Sequence, residues 1–469
     1  MANPPNSPIR RRRFLATAAA GSAAWAGLAP HGRAAGSSTG LLAGEGVVDT
    51  TPPVGIELGG FHRQAGNERL VEGIRQPTAA RALVLRCGEV ETAILSIDVA
   101  TVSGDFSRRV QRRIARQTGI PAENVRVCAT HTHSMPAFSY LRQWGAIPVD
   151  YMNGVERRCA EAAVLAREDL APARLSLGKS RAVGANFNRT TPEFSTDAEF
   201  TGDSTDQTRW LDTMVHVLLF ERTAEKRDLL WYHFSAHPVC YADTRAGPDW
   251  PGEVAERLRA ELGLDPSYLQ GHAGDVNPGD GDPWRGDAGK TTRGVCDAVG
   301  RAVEAVQPVE VDRLVVRTRP FGVPLDMALF RTWLEAYRED PGQCAGGQWV
   351  DAAFAQDWFR GNADRDLSED RWPIALSALG LGPLGLIFHP AELYSVYGLA
   401  IRRDSPFADT LAVGYTDGII GYLADPAAYR AGEYAALTVP KILDIPPFTP
   451  GAGRETAAAA VALLNDVAT

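Results

Sequence analysis

Short apolar runs and amphipathic stretches alternate along this chain, and most of the apolar runs end in a polar cluster. Arg81 to Leu85 and Thr92 to Ile97 flank Cys87-Gly88-Glu89, a pattern that predicts an antiparallel hairpin. Asp105 to Thr118 carries Phe106, Val110 and Ile114 at helical spacing, with arginines opposite as a solvated face. Val125 to Ala129 predicts a short strand and Tyr151 to Leu170 a longer helix. Arg174 to Leu177, Met214 to Phe220 and Leu229 to Ser235 are strand-like, and the polar stretch Asn186 to Arg209 reads as a substrate-side loop. Pro251 to Leu262 is a helix with proline in its first turn. Ala288 to Val306 is a helix, Leu314 to Thr318 a strand, and helical patterns surround Trp333 and Trp358. Pro373 to Ala391 is uncharged, but its internal glycines and Pro383 predict a buried strand rather than a membrane helix. Leu384 to Phe388 and Thr410 to Val413 are short strands, and Arg454 to Val467 is an alanine-rich closing helix. No internal repeat is visible. The alternation predicts an α/β fold, with a mixed sheet or sheets flanked by helices and the binding groups in loops at strand C-terminal ends.

Composition narrows the function classes. A chain of 469 residues with 45% hydrophobic and 22% charged positions is that of a soluble globular protein with one large or two ordinary domains. The net charge is −9, and residues 1–35 hold five arginines and no acids, so the remainder is more acidic still. Nucleic acid and anionic membranes are poor partners for such a surface. Arg10 to Arg13 precede Phe14-Leu15 and an uncharged Ala/Gly-rich run, which resembles a twin-arginine signal and points to a periplasmic or secreted protein with no membrane span once matured. The expected organisation is a signal over 1–35, a flexible linker over 36–46 and one folded domain over 47–469. Six cysteines lack C-x-x-C spacing, which argues against a cysteine zinc site; Cys128 reads as a small core residue.

The candidate chemistry lies where apolar runs stop. Val125–Ala129 runs into His131 and His133, two imidazoles close together on a strand end, an arrangement suited to a metal that takes neutral imidazole. A lone H-x-H is common in loops. Its weight here comes from similar contexts further on. Leu229 to Val239 runs out into His237, while His233 lies mid-strand as a core histidine. Leu386 to Glu392 ends a strand at Glu392, which either ligates a metal or favours a helix N-terminus. Gly414 to Asp425 offers Tyr415, Asp417 and Tyr422, and the glycines of Gln270 to Pro278 let backbone approach a ligand near Asp275 and Asn277.

THTHS at 130–134, NRT at 188–190, AHP at 236–238, GDVNP at 274–278, PAE at 390–392 and GY at 421–422 resemble, in order, the neutral non-lysosomal ceramidase family. The resemblance spans roughly Val47 to Leu443, and that family's C-terminal immunoglobulin-like domain is not expected here. It implies a zinc-dependent hydrolase that cleaves an N-acyl amide of a small-molecule or lipid-like acyl substrate. His131, His237, Glu392 and Tyr422 would be the Zn²⁺ ligands, His133 a histidine that touches those ligands or the substrate, and Arg189 a substrate-side cation. Two positions depart from the family: Asn277 replaces a serine nucleophile, and Met135 replaces a glycine that leaves room. Attack by zinc-bound water is then expected, with Asp275 or His133 moving the proton and Asn277 donating to the oxyanion. Long-chain ceramide is expected to be a poor substrate. An esterase or lactonase, or a zinc-containing binding protein without catalysis, are the alternatives.

Overall fold

The computed structural model describes residues 40–64, 66–223, 225–280, 284–343 and 352–469, so the expected signal and Cys344 lie outside the described residues. Within them the chain makes the same excursion three times: three antiparallel strands, a helix, a fourth strand parallel to the third, and a second helix. The first pass is β1 (Leu42–Asp49), β2 (Ala79–Cys87), β3 (Val90–Ile97), α1 (Gly104–Thr118), β4 (Val125–Ala129) and α2 (Val149–Glu168). The second is β5 (Ala171–Arg181), β6 (Met214–Arg222), β7 (Leu229–Phe234), α3 (Trp250–Leu262), β8 (Pro266–Gln270) and α4 (Ala288–Glu304). In the third, β9 (Leu314–Pro324) is followed by an insertion of two helices, α5 (Met327–Glu339) and α6 (Ala352–Asn362). It then continues as β10 (Arg371–Leu381), β11 (Leu384–Phe388), α7 (Ser395–Asp404), β12 (Asp409–Val413) and α8 (Ala452–Ala468). Antiparallel pairing of β1 with β5 joins the first two units into a nine-stranded sheet, order β8-β7-β6-β5-β1-β2-β3-β4, with Gln307–Pro308 added beside β5. The third unit forms its own four-stranded sheet.

Strand alternation explains how these layers pack. Along β2, Leu83 and Leu85 join a central core with Leu218, Phe220 and Trp231 of the second unit and Leu386 and Phe388 of the third. Ala82 and Val84 face the other way, onto Phe106, Val110 and Ile114 of α1 and Val155 of α2. The second unit repeats this with Val254 and Leu258 of α3 and Val295 and Val299 of α4. The sheets therefore share one apolar centre, and each helix pair covers its own unit. Burying each large side chain contributes roughly 1.5–3 kcal/mol. Because β3/β4, β7/β8 and β11/β12 are parallel pairs, their C-terminal ends lie at one end of that centre. There they are stitched together: Ala129 N donates to Tyr415 O at 3.0 Å and Gly414 N to Gln270 O at 3.1 Å.

The mixed sheets and flanking helices agree with the sequence expectation, and four readings are corrected. The repeat exists in the fold although none is visible in the residues, since the units share strand ends and burial pattern but differ in loop length. The expected linker over 36–46 gives way to β1 at Leu42. Gly44 and Gly46, read as flexible, are instead sites of close contact: a Cβ on either would collide with the α2 backbone at Ala166 or Ala162. The uncharged stretch from Pro373 resolves into two strands, β10 and β11, turned at Gly382 with φ 56°. The α1 arginines are not one solvated face, because Arg109 and Arg113 reach Glu156 of α2 at 2.8 and 2.9 Å. Cys128 packs in the central core as expected, and Cys128, Cys159, Cys240 and Cys296 are free thiols. Among the described residues no helix is long and apolar enough to cross a membrane.

Candidate metal centre

The loops after β4, β7 and β11 deliver three histidines and a carboxylate to one point. His133 Nε2 lies 3.2 Å from His131 Nε2. Glu392 Oε2 lies 3.2 Å from His237 Nε2 and 3.5 Å from His131 Nε2. The ligand atoms of His131, His133 and His237 all fall within 4.8 Å of one another. All four side chains are buried. His131 is held by one backbone and one side-chain contact: Nδ1–H donates to Ala100 O at 2.7 Å, and the Tyr415 ring stacks on it at 4.2 Å. His237 Nδ1–H donates to Val276 O at 3.0 Å. Donation from Nδ1 leaves each Nε2 as a lone pair facing inward, the tautomer a metal-bound histidine adopts. His133 differs, since its buried Nδ1 has no partner among the described residues.

Electrostatics agree with a cation at this point. Burial, with His131 and His237 nearby, holds His133 well below its usual range, and burial with Arg189 nearby pushes His237 down to about 4. Burial would raise Glu392, but the nearby His131 and His237 side chains hold it below the usual carboxylate range. Neutral imidazoles and an ionised carboxylate aimed at one point repel unless positive charge sits among them. Nitrogen and carboxylate oxygen are donors that Zn²⁺ accepts. The backbone is strained here: His131, Tyr415 and Asp417 are non-glycine residues with φ of 65°, 54° and 60°. Each costs about 1–3 kcal/mol and persists only because surrounding contacts over-determine it.

A cavity of about 400 Å³ opens over the centre. His133, Arg189 and Tyr422 line it, with Phe61, Trp144, Trp284 and Tyr434 as aromatic walls. Arg189 Nη2 donates to Tyr422 Oη at 2.7 Å and to Gly274 O at 2.8 Å, and Nη1 to Asn277 Oδ1 at 3.4 Å. Burial works against the charge on Arg189, but Tyr422 and Glu392 outweigh it, so the guanidinium stays cationic. Gly274 is a true close approach, for a Cβ there would sit 2.5 Å from Glu392 O.

Of the sequence-predicted residues, His131, His237 and Glu392 come together, and His133 joins them more closely than expected. Tyr422 lies beside His237, ring centroids 6.5 Å apart, with its hydroxyl held by Arg189. Asp275, expected as one of two possible proton carriers, has both carboxylate oxygens engaged by neighbours. Its Oδ1 accepts from Ser395 N and Oγ, each at 2.8 Å, and its Oδ2 accepts from Asn188 Nδ2 at 2.9 Å. Asn277 is fully buried and does not line the cavity; its Oδ1 accepts from Arg189, which links it to the site. Met135 does not narrow the cavity either; it is buried in the core of the first unit. Glu392 does not open a helix, because α7 begins at Ser395 and Glu392 pairs with Tyr422 as a short parallel bridge. Phe61 and Trp144 were missed, and nothing in their local sequence marks them. Tyr415 was marked as a ligand-type residue rather than as the ring that holds His131.

Residues 41–246 match the family described as neutral/alkaline non-lysosomal ceramidase, N-terminal. Two solved structures share the fold: neutral ceramidase from Pseudomonas aeruginosa and a ceramidase complexed with C2. Each has a TM-score of 0.68 and 18% identity, and the alignment covers 92% of this chain and 75% of the other. No curated protein matches the sequence.

Proposed function

We propose that this chain, whose residues 41–246 carry the N-terminal signature of neutral/alkaline non-lysosomal ceramidases, is a zinc-dependent hydrolase that cleaves an N-acyl amide bond. The observation that carries the reading is the inward convergence of His131, His133, His237 and Glu392 beneath an aromatic cavity. His131, His237 and Glu392 would hold the ion, since the two histidines have the Nδ1–H···O=C anchoring of metal ligands. What such an ion contributes when bound is polarisation of an acyl carbonyl and a lowered pKa for a water. His133 lines the cavity, is kept neutral by burial and has an unanchored ring, which suits it to accept and return a proton. Arg189 and the Tyr422 hydroxyl face the same space and hydrogen-bond the acyl oxygen as charge develops on it. The aromatic walls exclude water and take an acyl chain. At about 400 Å³ the cavity sits near the small end of ligand pockets, which favours a compact acyl group over long-chain ceramide.

The test is metal analysis of the purified chain together with hydrolysis of a panel of short- and long-chain N-acyl amides and matching esters. One zinc per chain and preferential turnover of short amides is the expected result. Preference for the esters would make it an esterase, and zinc without turnover a binding protein. Export through the Arg10–Arg13 segment belongs to the same reading; lysines at Arg12 and Arg13 should retain precursor in the cytoplasm, and unchanged secretion would refute that route.

A further inference from the structure

The loop of residues 238–249, between His237 and α3, carries none of the proposed ligands, yet both histidine loops lean on it. Its Pro238 O accepts from His133 N at 2.9 Å. Tyr241 O accepts from Ser134 Oγ at 3.1 Å, Gly247 O accepts from Thr132 Oγ1 at 2.9 Å, and Gly247 N donates to Ser134 O at 3.2 Å. Just past the loop, Trp250 Nε1 donates to His237 O at 3.2 Å. His133 depends on these bonds more than its neighbours do. His131 and His237 have Nδ1 anchors of their own, whereas His133 Nδ1 has no partner among the described residues.

Asp249 closes this loop. It is fully buried; Oδ1 accepts from Trp250 N at 2.7 Å, and Oδ2 reaches back to accept from Tyr241 N at 3.2 Å. The Cys240 backbone and thiol donate to the same carboxylate. A helix cap does not account for this arrangement. Caps sit in the β region and accept from the second or third helical N–H, whereas Asp249 has φ 66° and ψ −152° and accepts from the first. That backbone conformation is essentially glycine's, and an aspartate held in it costs about 1–3 kcal/mol. What the strain secures is the direction of the carboxylate, which ties residues 240 and 241 to 249 and 250.

We propose that Asp249 is a positioning residue for the metal centre, closing the 238–249 loop so that the loop sets the directions of the His133 and His237 side chains. Without the carboxylate, the two ends of the loop part. The slack then passes to Ser134 through Tyr241 O, to His133 through Pro238 O and to His237 through Trp250. The proposal rests on the hydrolase reading for its metal centre, but it is read through metal binding rather than turnover.

The experiment compares Asp249→Gly with Asp326→Gly, which removes the cap of α5, where Asp326 accepts from Leu329 N at 2.9 Å. Glycine suits φ 66°, so Asp249→Gly removes carboxylate and strain together and should unfold in urea near the wild-type midpoint. Its zinc affinity, measured by competition with a chelator, should nonetheless fall about 10–100-fold, as for other outer contacts of a metal site. The visible spectrum of the cobalt-substituted chain should shift with it, because the ligand directions change. Ser134→Ala cuts one stitch of the same loop and should move both readouts the same way by less. Asp326→Gly should lower the urea midpoint and leave both readouts at wild-type values. Wild-type zinc affinity and cobalt spectrum in Asp249→Gly overturn the proposal, as do equal changes in Asp326→Gly. Should Asp249→Gly fail to fold, an unchanged spectrum in Ser134→Ala overturns it instead. Zinc binding without turnover in the wild type would refute the hydrolase reading alone, whereas a wild type that binds no zinc overturns both.

Discussion

His131, His133 and His237 lie at one end of the central core, and a second set, His216, His233, His272 and His389, lies beside them. Both sets are almost fully buried. Burial lowers members of each: His237 and His233 are both pushed down to about 4, and His389 to about 3. Burial and protonation state therefore do not separate them. Direction does. In the first set Nδ1–H donation to Ala100 O and Val276 O turns the Nε2 lone pairs onto Glu392. In the second, His233 spends Nε2–H on Ala412 O at 2.9 Å, and ring centroids stand 5.8 and 6.3 Å apart. The carboxylates differ too. Glu392 faces imidazoles, whereas Asp212 beside His272 is gripped by both arms of Arg402 at 2.9 Å. A carboxylate already neutralised by a guanidinium has little left for a cation. The second set is thus structural, and the first is open to an ion.

The largest effect should follow from removing an anchor of the first set. His131→Ala and His237→Ala should each lose bound zinc and lower turnover by at least about 10³-fold, the scale for one member of a catalytic unit. Full metal retention by both variants, measured by plasma emission, would put the ion elsewhere.

Next comes the anchor of the second set. Asp212→Ala takes from half-buried Arg402 its two-armed partner, leaving the looser Asp197 contact at 4.0 Å, and should cost about 3 kcal/mol of unfolding free energy, with zinc content unchanged. The acid limb gives the sign. Burial would raise the Asp212 carboxyl, but Arg402 and His272 hold it well below the usual carboxylate range. A depressed folded pKa contributes stability that is present above the unfolded value of about 3.9 and is lost as pH falls through the lower folded value. Wild type should therefore lose stability more steeply than Asp212→Asn below about pH 4. Parallel acid melts of the two would contradict the assigned pair.

These contrasts mark what could be read in the residues. The hairpin 79–97, helices α1 to α4 and the strands leading to His131, His237 and Glu392 follow from apolar period and breakers, which are local properties. The threefold recurrence does not, because it resides in which strand pairs with which, and the α5–α6 insertion hides its period. Gly44 and Gly46 look like linker until α2 is placed against them. His133 is adjacent to His131 in sequence, but only a φ of 65° at His131 decides that both rings turn inward. The roles of Asp275 and Asn277 depend on Ser395, Asn188 and Arg189, which are distant in the chain.

The loop from Gln270 to Pro278 runs from the second histidine set, through His272, to the first, where Val276 O holds His237. Asn277 tests its far end. Truncating a group that acts by holding Arg189 should lower kcat about 10–100-fold, as for other outer contacts of a metal site. A direct oxyanion donor would cost about 10²–10³-fold. Zinc content of Asn277→Ala should stay at the wild-type level, and Asn277→Ser should retain partial activity with no acyl-enzyme in mass spectra. A covalent adduct on the wild type would overturn direct hydrolysis.

The smallest effect is expected at Asp275, midway along the same loop. Its two oxygens accept three hydrogen bonds, from Ser395 N, Ser395 Oγ and Asn188 Nδ2, which tie the loop to the start of α7. An asparagine can keep its oxygen towards Ser395, but its amide nitrogen must then meet the Asn188 amide nitrogen, donor against donor. The loss is one buried hydrogen bond in a site that remains mostly satisfied, so Asp275→Asn should cost roughly 1–2 kcal/mol of unfolding free energy. Turnover per zinc-loaded molecule should be preserved, and the pH–rate profile should keep its shape, because a clamp carries no proton in the reaction. Urea unfolding and kcat against pH, both normalised to metal content, separate the two roles. A fall in kcat of about 10²-fold or more with one limb of the profile missing would restore Asp275 as the proton carrier. His133 would then be left as a fourth donor to the ion.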